Sequence, residues 1–498
     1  MYKLLFIIAL LLCCFGFTAT AQDVVIKNVE GPSVQCQGNL HDLMYANRTS
    51  GGPSKAKQYA NPSEAVVDYR DRISNMPQYL HDFINAYVEA GQTVLNGGSS
   101  WLSDPTLGEY TSNTYYYLLD EVTGSAPFSF PRGSSDEVIQ QAAYNAIVGR
   151  INEAYDILQS FLPYAVLSLN FDHPEIFWTG KSYQYGYSSG YGYSYYTNGT
   201  GTVEFSMKLQ FTLLSYSNGF DIRNNGLSGY DFQHPEELAQ GVQLFHSSVQ
   251  NILKNCQTGS RYDKLLAAHD WLTLHNCYNP VFASGEYGQL EIGDTPWSAL
   301  SALEGNDGQK APVCEGYSRA FKVLCDEMEI PCILMAGNAC DRPSSSGEPH
   351  MWNYVQMEDG KWYAIDVTWD DPVNSYSSTY FNIVSGYESH NWFLLGSTSD
   401  VGGFSFLESH PEQWDKDFSS GGSYSWELVP GPELAPLAYS NEVSNPYDIN
   451  HDGVIDEKDI NLMAEDIVND NNSTQDLDGN GRISIGDLVR LIDRYLSK

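Results

Sequence analysis

Basic residues are scarce: of 498 residues, 26 are Lys or Arg and 62 are Asp or Glu, giving a net charge of −36. So acidic a chain repels phosphate backbones, which excludes nucleic acid as a partner and leaves solubility or cation binding as the use of the charge. Long apolar runs are missing too. Past residue 21 no stretch reaches about 18 consecutive apolar residues, so none reads as a membrane span. No pair of carboxylates stands in a pattern that supports glycoside hydrolysis. Of nine cysteines, Cys13 and Cys14 fall in the first 21 residues, leaving Cys36, Cys256, Cys277, Cys314, Cys325, Cys332 and Cys340. With one of the seven kept free, six could pair in an order that spacing does not reveal, or several could stay buried thiols.

What is present divides the chain into segments. Residues 1–21 carry Lys3, an apolar run from Leu4 to Phe17 and the small-residue exit Ala19-Thr20-Ala21, the pattern of a secretory signal peptide. The expectation is a secreted, extracellular protein. At 42% hydrophobic and 13% aromatic, the rest can build more than one core. Residues 22–61 are weakly periodic and read as an irregular leader. Residues 62–255 open with apolar positions at three- and four-residue steps, with Ser134 or Ser135 as a helix start, and continue into a tyrosine-rich β region. There Tyr183, Tyr185 and Tyr187, then Tyr191, Tyr193 and Tyr195, alternate with small or polar residues. Folded as a hairpin about Ser188-Ser189-Gly190, they make a ladder of tyrosine pairs on one face. Such a face could stack on sugar rings, although packing against a neighbouring layer is its commoner use.

Residues 256–427 hold the candidate chemistry. A helix from Arg261 to Asn276 carries His269 and His275, which are off a common helical face and read as structural rather than as a metal pair. In APVCEGYSRAFKVLCDEMEIPC, Cys314 stands where a helix begins, after Pro312 and before Ala320, Phe321, Val323, Leu324 and Met328 at helical spacing. A helix N-terminus favours the thiolate, the form that attacks, whereas Cys325 lies inside the helix without that help. A thiolate needs an imidazolium partner, and the imidazole an orienting acceptor. His350 and Asp366 lie on two strands about a Glu358-Asp359-Gly360 turn. If Gly360 is left-handed in a three-residue loop, Met357 faces Lys361 and Asp366 opposes Trp352, on the same face as His350. Residues 428–446 contain four prolines and no period, and read as a linker.

The order Cys, His, Asp in the words APVCEGYSRAFKVL, HMWNYV and DGKWYAIDVTWDDP, with the later YFNIVS, resembles the bacterial transglutaminase-like domain of the papain-like cysteine hydrolases, from about Arg261 to Gly396. The resemblance implies an α+β core and an acyl-enzyme mechanism with Cys314 as nucleophile, His350 as proton donor to the leaving amine and Asp366 orienting His350. It also implies the Cys314 backbone N–H in the oxyanion hole, with Tyr278 a candidate second donor. Proteolysis or amide hydrolysis is the leading activity, with transamidation as its variant. A catalytically inactive binding module in a polysaccharide- or protein-degrading assembly is the alternative.

Residues 447–498 contain DINHDGVIDEKD and DLDGNGRISIGD, two 12-residue loops with oxygen donors at positions 1, 3, 5, 7, 9 and 12 and Gly at 6, the requirement of Ca²⁺. The first offers Asp448, Asn450, Asp452, the Val454 carbonyl, Asp456 and Asp459. The second offers Asp476, Asp478, Asn480, the Arg482 carbonyl, Ser484 and Asp487. Two calcium ions are therefore expected. The duplicated loop-helix unit resembles a type I dockerin, a small all-α domain, which implies docking to a cohesin on a scaffold or cell-surface protein.

Overall fold

The computed structural model describes residues 25–39, 68–73, 75–98, 109–111, 114–178, 182–214, 235–256, 259–279, 296–306, 311–340, 348–371, 389–411, 415–418, 424–427, 431–440, 447, 449, 455–469, 477 and 482–496. The expected signal peptide lies outside them.

The larger sheet is antiparallel. It comprises β1 (Val25–Glu30), β2 (Val34–Asn39), β3 (Glu109–Thr111), β4 (Thr114–Ser129), β5 (Ser182–Tyr195) and β6 (Thr200–Leu214), in the order β1-β5-β6-β4-β3 with β2 also on β5. Residues 22–61, expected to be irregular, thus supply two strands. Their partner is about 140–170 residues away, a pairing that local composition does not report. The expected tyrosine hairpin does not form either. β5 runs unbroken through Ser188-Ser189-Gly190, and the chain reverses at Tyr196 to Gly199, where Gly199 has φ +94°. Asn198-Gly199 is the stronger turn signal, and Ser189 keeps the odd-numbered phase, so the tyrosines share one face without a turn between them.

That face is covered. The helices α1 (Gln78–Leu95) and α2 (Asp136–Asp172) pack on the sheet, α2 burying Ile139, Ala143, Ile147, Ile151, Leu158 and Leu162 at near four-residue steps. Tyr155 meets Tyr187 edge-on at 5.1 Å and Tyr144 lies 6.0 Å from Tyr191. Tyr187, Tyr191 and Tyr193 are core, held with Val203, Phe205, Met207, Leu209 and Phe211 of β6, and Tyr185 and Tyr195 pack against them partly buried.

Beyond Leu162 every residue of α2 to Phe171 is buried, and the same apolar core continues into the second half of the molecule. There α3 (Pro235–Cys256) packs on α4 (Arg261–His275) and α5 (Ala299–Leu303), and these two pack on α6 (Cys314–Glu327). A three-stranded antiparallel sheet of β7 (Cys332–Ala339), β8 (Glu348–Gln356) and β9 (Trp362–Ile365) packs against α6. The short helices α7 (Val367–Asp370) and α8 (Phe406–Ser409) follow, then the β10 (Asp415–Phe418) and β11 (Tyr424–Glu427) hairpin. Near the C-terminus α9 (Glu457–Asn469) and α10 (Ile485–Leu496) close a small core of Ile449, Ile455, Met463 and Leu491. Among the described residues no helix is long and apolar enough to cross a membrane.

Candidate active site

Cys314 is the first residue of α6, after Val313 in extended conformation. The helix can start so deep because Gly316 has no side chain: a Cβ there would stand 2.4 Å from the Pro296 carbonyl oxygen and 2.8 Å from Ser301 Oγ of α5. From Cys314 to Cys325 the helix is buried all round, charged residues included. Those charges are engaged. Lys322 donates to Asp326 at 3.0 Å and to the Cys332 carbonyl at 3.1 Å, and Arg319 donates to the Trp297 carbonyl at 3.0 Å.

The β8–β9 connection is the three-residue loop expected above. Gly360 has φ +75°, Met357 N–H donates to the Lys361 carbonyl, and Asn353 pairs with Ile365, a register that sets Asp366 opposite Trp352. Asp366 also caps α7, its Oδ1 accepting from the amides of Thr368 at 3.1 Å and Trp369 at 3.2 Å. Its other oxygen faces two imidazoles: His350 Nε2 at 2.7 Å and His410 Nε2 at 3.1 Å. The Cys314 thiol is the other neighbour of the His350 ring and adds to the groups that favour its charged form. Cys314, His350 and Asp366 are thus adjacent, all at or below 6% exposure, so water competes little for their hydrogen bonds.

Burial acts against charge on His350, but the Asp366 carboxylate, its hydrogen bond and the Cys314 contact outweigh it and raise the imidazole to about 10. Burial acts against the Asp366 anion as well, and the attraction of His350 with the hydrogen bonds from both imidazoles holds it well below the usual carboxylate range. His410 goes the other way: burial pushes it down to about 4, so it donates to Asp366 as a neutral ring. Its Nδ1 is buried and has no hydrogen-bond partner among the described residues. Aromatic rings enclose the pair, with Trp369 5.1 Å from His350 and 4.6 Å from His410, and Phe406 stacked on His410 at 4.4 Å.

Sequence reasoning missed His410. It arrives because Gly337 lets the segment after α8 cross β7, with the Pro411 carbonyl oxygen 2.3 Å from where a Cβ would be, and because Cys340 and Ser409 exchange two hydrogen bonds. The one local signal was Ser405-x-x-Glu408, a capping box that starts the short helix α8, whose C-cap is His410. Tyr278 is brought near: Asn279 N–H donates to the Pro312 carbonyl, and Tyr278 packs on Val313 and Trp297. Cys325 is pushed well up by burial and its hydrogen bond with Cys332, as suits an inert thiol. Cys256, Cys277, Cys314, Cys325, Cys332 and Cys340 are all free thiols.

In the calcium loops the structure describes Asp456, Asp459, Arg482, Ser484 and Asp487; Asp448, Asn450, Asp452, Val454, Asp476, Asp478 and Asn480 lie outside the described residues. The two loops agree where they are described. The position-12 carboxylate accepts the position-9 amide in both, Asp459 from Asp456 at 2.7 Å and Asp487 from Ser484 at 2.8 Å, and both carboxylates are buried.

Residues 248–367 match the model of the transglutaminase-like superfamily, so the chain carries a transglutaminase-like domain, and that span includes Cys314, His350 and Asp366. No curated protein matches the chain. Among solved structures, one described as a TGase is 16% identical over 39% of this chain and 46% of its own, with a TM-score of 0.22. The chain therefore spans less than half of that protein. A "putative cysteine protease" from Cytophaga hutchinsonii is 14% identical over 66% of this chain and 84% of its own, with a TM-score of 0.20.

Proposed function

We propose that this domain is a thiol acyl-hydrolase acting on amide bonds of proteins or peptides, with Cys314, His350 and Asp366 as its triad. The observation that carries the reading is His350, held between a thiol at a helix N-terminus and a buried carboxylate and raised to about 10. A thiolate–imidazolium pair is the resting form such surroundings favour. The Cys314 sulfur attacks the carbonyl carbon and His350 gives its proton to the departing amine, leaving a thioester. Water then adds, its proton passing to His350, and the C–S bond breaks to release the acid. The Cys314 backbone N–H, at the first turn of α6 where amides have no intrahelical acceptor, is the donor assigned to the oxyanion. Asp366 stays ionised throughout and keeps His350 oriented.

Secretion and tethering complete the proposal. The leader sends the enzyme out of the cell, and the C-terminal unit docks it on a cohesin-bearing scaffold or cell-surface protein. The two loops would hold calcium through oxygen donors only, and the matched, buried Asp459 and Asp487 fit a hard cation. In this role the ion supplies folding energy, not chemistry.

The test is iodoacetamide labelling of Cys314, followed by peptide mass spectrometry at mildly acidic and mildly alkaline pH in wild type and His350→Ala, alongside casein hydrolysis. Fast labelling at acidic pH that collapses in the variant, with hydrolysis abolished by Cys314→Ala, is the expected result. Labelling that rises only toward an ordinary thiol pKa near 8.5 would sink the triad. For the C-terminal unit, a chelator is expected to unfold α9 and α10 as read by circular dichroism; an unchanged spectrum rejects the calcium loops.

A further inference from the structure

α4 carries His269 and Asp270 in succession, and the segment leading to Trp392 brings His390 against them. His390 Nε2 lies 2.7 Å from Asp270 Oδ1, and His269 Nδ1 lies 3.1 Å from the same oxygen. The three candidate ligand atoms lie within 4.8 Å of one another. On the opposite side of the His269 ring, Nε2 is 3.1 Å from Asp370 Oδ2, and both side chains are fully buried. Asp370 is fixed in turn by the Trp392 amide, at 3.1 and 3.2 Å from its two oxygens, and by the Ser389 hydroxyl. A ring nitrogen that gives its proton to a buried carboxylate leaves the other nitrogen a lone pair of fixed direction, which is how metal-binding histidines are oriented. Here that other nitrogen faces Asp270 Oδ1, the oxygen that His390 also meets, so a metal entering between them takes the place of the proton they share.

We propose that His269 Nδ1, Asp270 Oδ1 and His390 Nε2 bind a divalent transition metal of the zinc class, with Asp370 as the outer carboxylate that orients His269. Two imidazoles and one carboxylate suit this class, whereas Ca²⁺ and Mg²⁺ prefer oxygen donors alone, so the site is chemically distinct from the C-terminal loops. Bond lengths of about 2.0–2.2 Å are reached by small rotations of His390 and Asp270, whose side chains are 48% and 36% exposed and admit the ion from solvent. The fourth position is left to water. The metal pins the 389–394 segment to α4. Trp392 of that segment stands 5.1 Å from His410 and its carbonyl accepts the Asp366 amide at 3.0 Å, so the bound metal steadies one wall of the candidate triad without entering its chemistry.

The experiment is a Zn²⁺ titration by calorimetry of the full chain carrying Cys314→Ala, so that the thiol offers no ligand, with calcium present in excess. One Zn²⁺ per chain is expected, together with a Zn²⁺-dependent rise in Tm. His390→Ala, at a half-exposed position, should keep the circular dichroism spectrum, bind Zn²⁺ at least tenfold more weakly and lose the Tm response. Asp370→Asn should weaken binding by about 10–100-fold. Absence of Zn²⁺ binding in the parent overturns the site. Equal affinity in the parent, His390→Ala and Asp270→Asn also overturns it, by placing the ion on other ligands such as His350 and His410.

Discussion

Beneath the tyrosine-rich sheet the buried side chains are Tyr187, Tyr191, Tyr193, Phe205 and Phe211, whereas around Cys314 they include Glu315, Arg319, Lys322, His350, Asp366, Asp370 and His410. The first half is stabilised by area removed from water and by ring packing. Its tyrosine hydroxyls reach the rim, where Gln140 and Gln159 lie 3.4 Å and 3.5 Å from Tyr191 and Tyr185. The second half holds charges that burial penalises, and its network of hydrogen bonds offsets that penalty. Chemistry can reside in the second half and not in the first. A buried acid and base held against one another differ widely in pKa from their free forms, and a packed phenylalanine ring has no proton to give.

Substitutions can separate the halves. The largest expected effect is Cys314→Ala, which should lower hydrolysis by at least about 10⁴-fold with Tm little changed, read as turnover of a peptide amide. Asp366→Asn keeps the cap acceptor for α7 but loses the anion, and should cost about 10³–10⁴-fold in kcat. Wild-type turnover in that variant would remove Asp366 from the triad. On the tyrosine side, Phe211 is fully buried and meets Phe83 at 4.8 Å. Phe211→Ala should cost about 3–5 kcal/mol in urea denaturation, yet leave the kcat of the folded fraction intact. If kcat fell in step, the two halves would be one functional unit rather than scaffold and site. Gly316→Ala joins the two effects, because its methyl meets backbone and Ser301. A loss of about 1–3 kcal/mol is expected, with reduced turnover as the first turn of α6 shifts.

The smallest effect is a slope. His410 titrates near 6.5 in the unfolded chain and about 4 when folded, so between those values only the unfolded chain takes the proton. The stability that this burial difference carries is complete above pH 6.5 and drains as pH falls toward 4. His350 runs opposite: its folded value near 10 exceeds the unfolded 6.5, so its contribution is complete below 6.5 and is lost as pH rises through 10. Chemical denaturation of His410→Gln across pH 4 to 6.5 should show a flatter acid limb; an unchanged limb would assign that slope to other groups.

By itself the sequence determined the local chemistry. Cys314 after Val313 opens a helix, Ser135 precedes one, and Gly360 at positive φ sets the β8–β9 register that carries Asp366 to the face of His350. These follow from backbone preferences within a few residues, which the chain carries wherever it is. Only the tertiary structure decided the rest. Val25 to Asn39 became strands because β5 offered a free edge about 140–170 residues away, and the tyrosines ran as one strand that packs on Tyr144 and Tyr155 of α2. His410 reached Asp366 across Gly337, and His390 reached His269 over Asp270. Contacts between such distant residues are set by which surfaces bury best together, a property of the folded whole that no local spacing encodes.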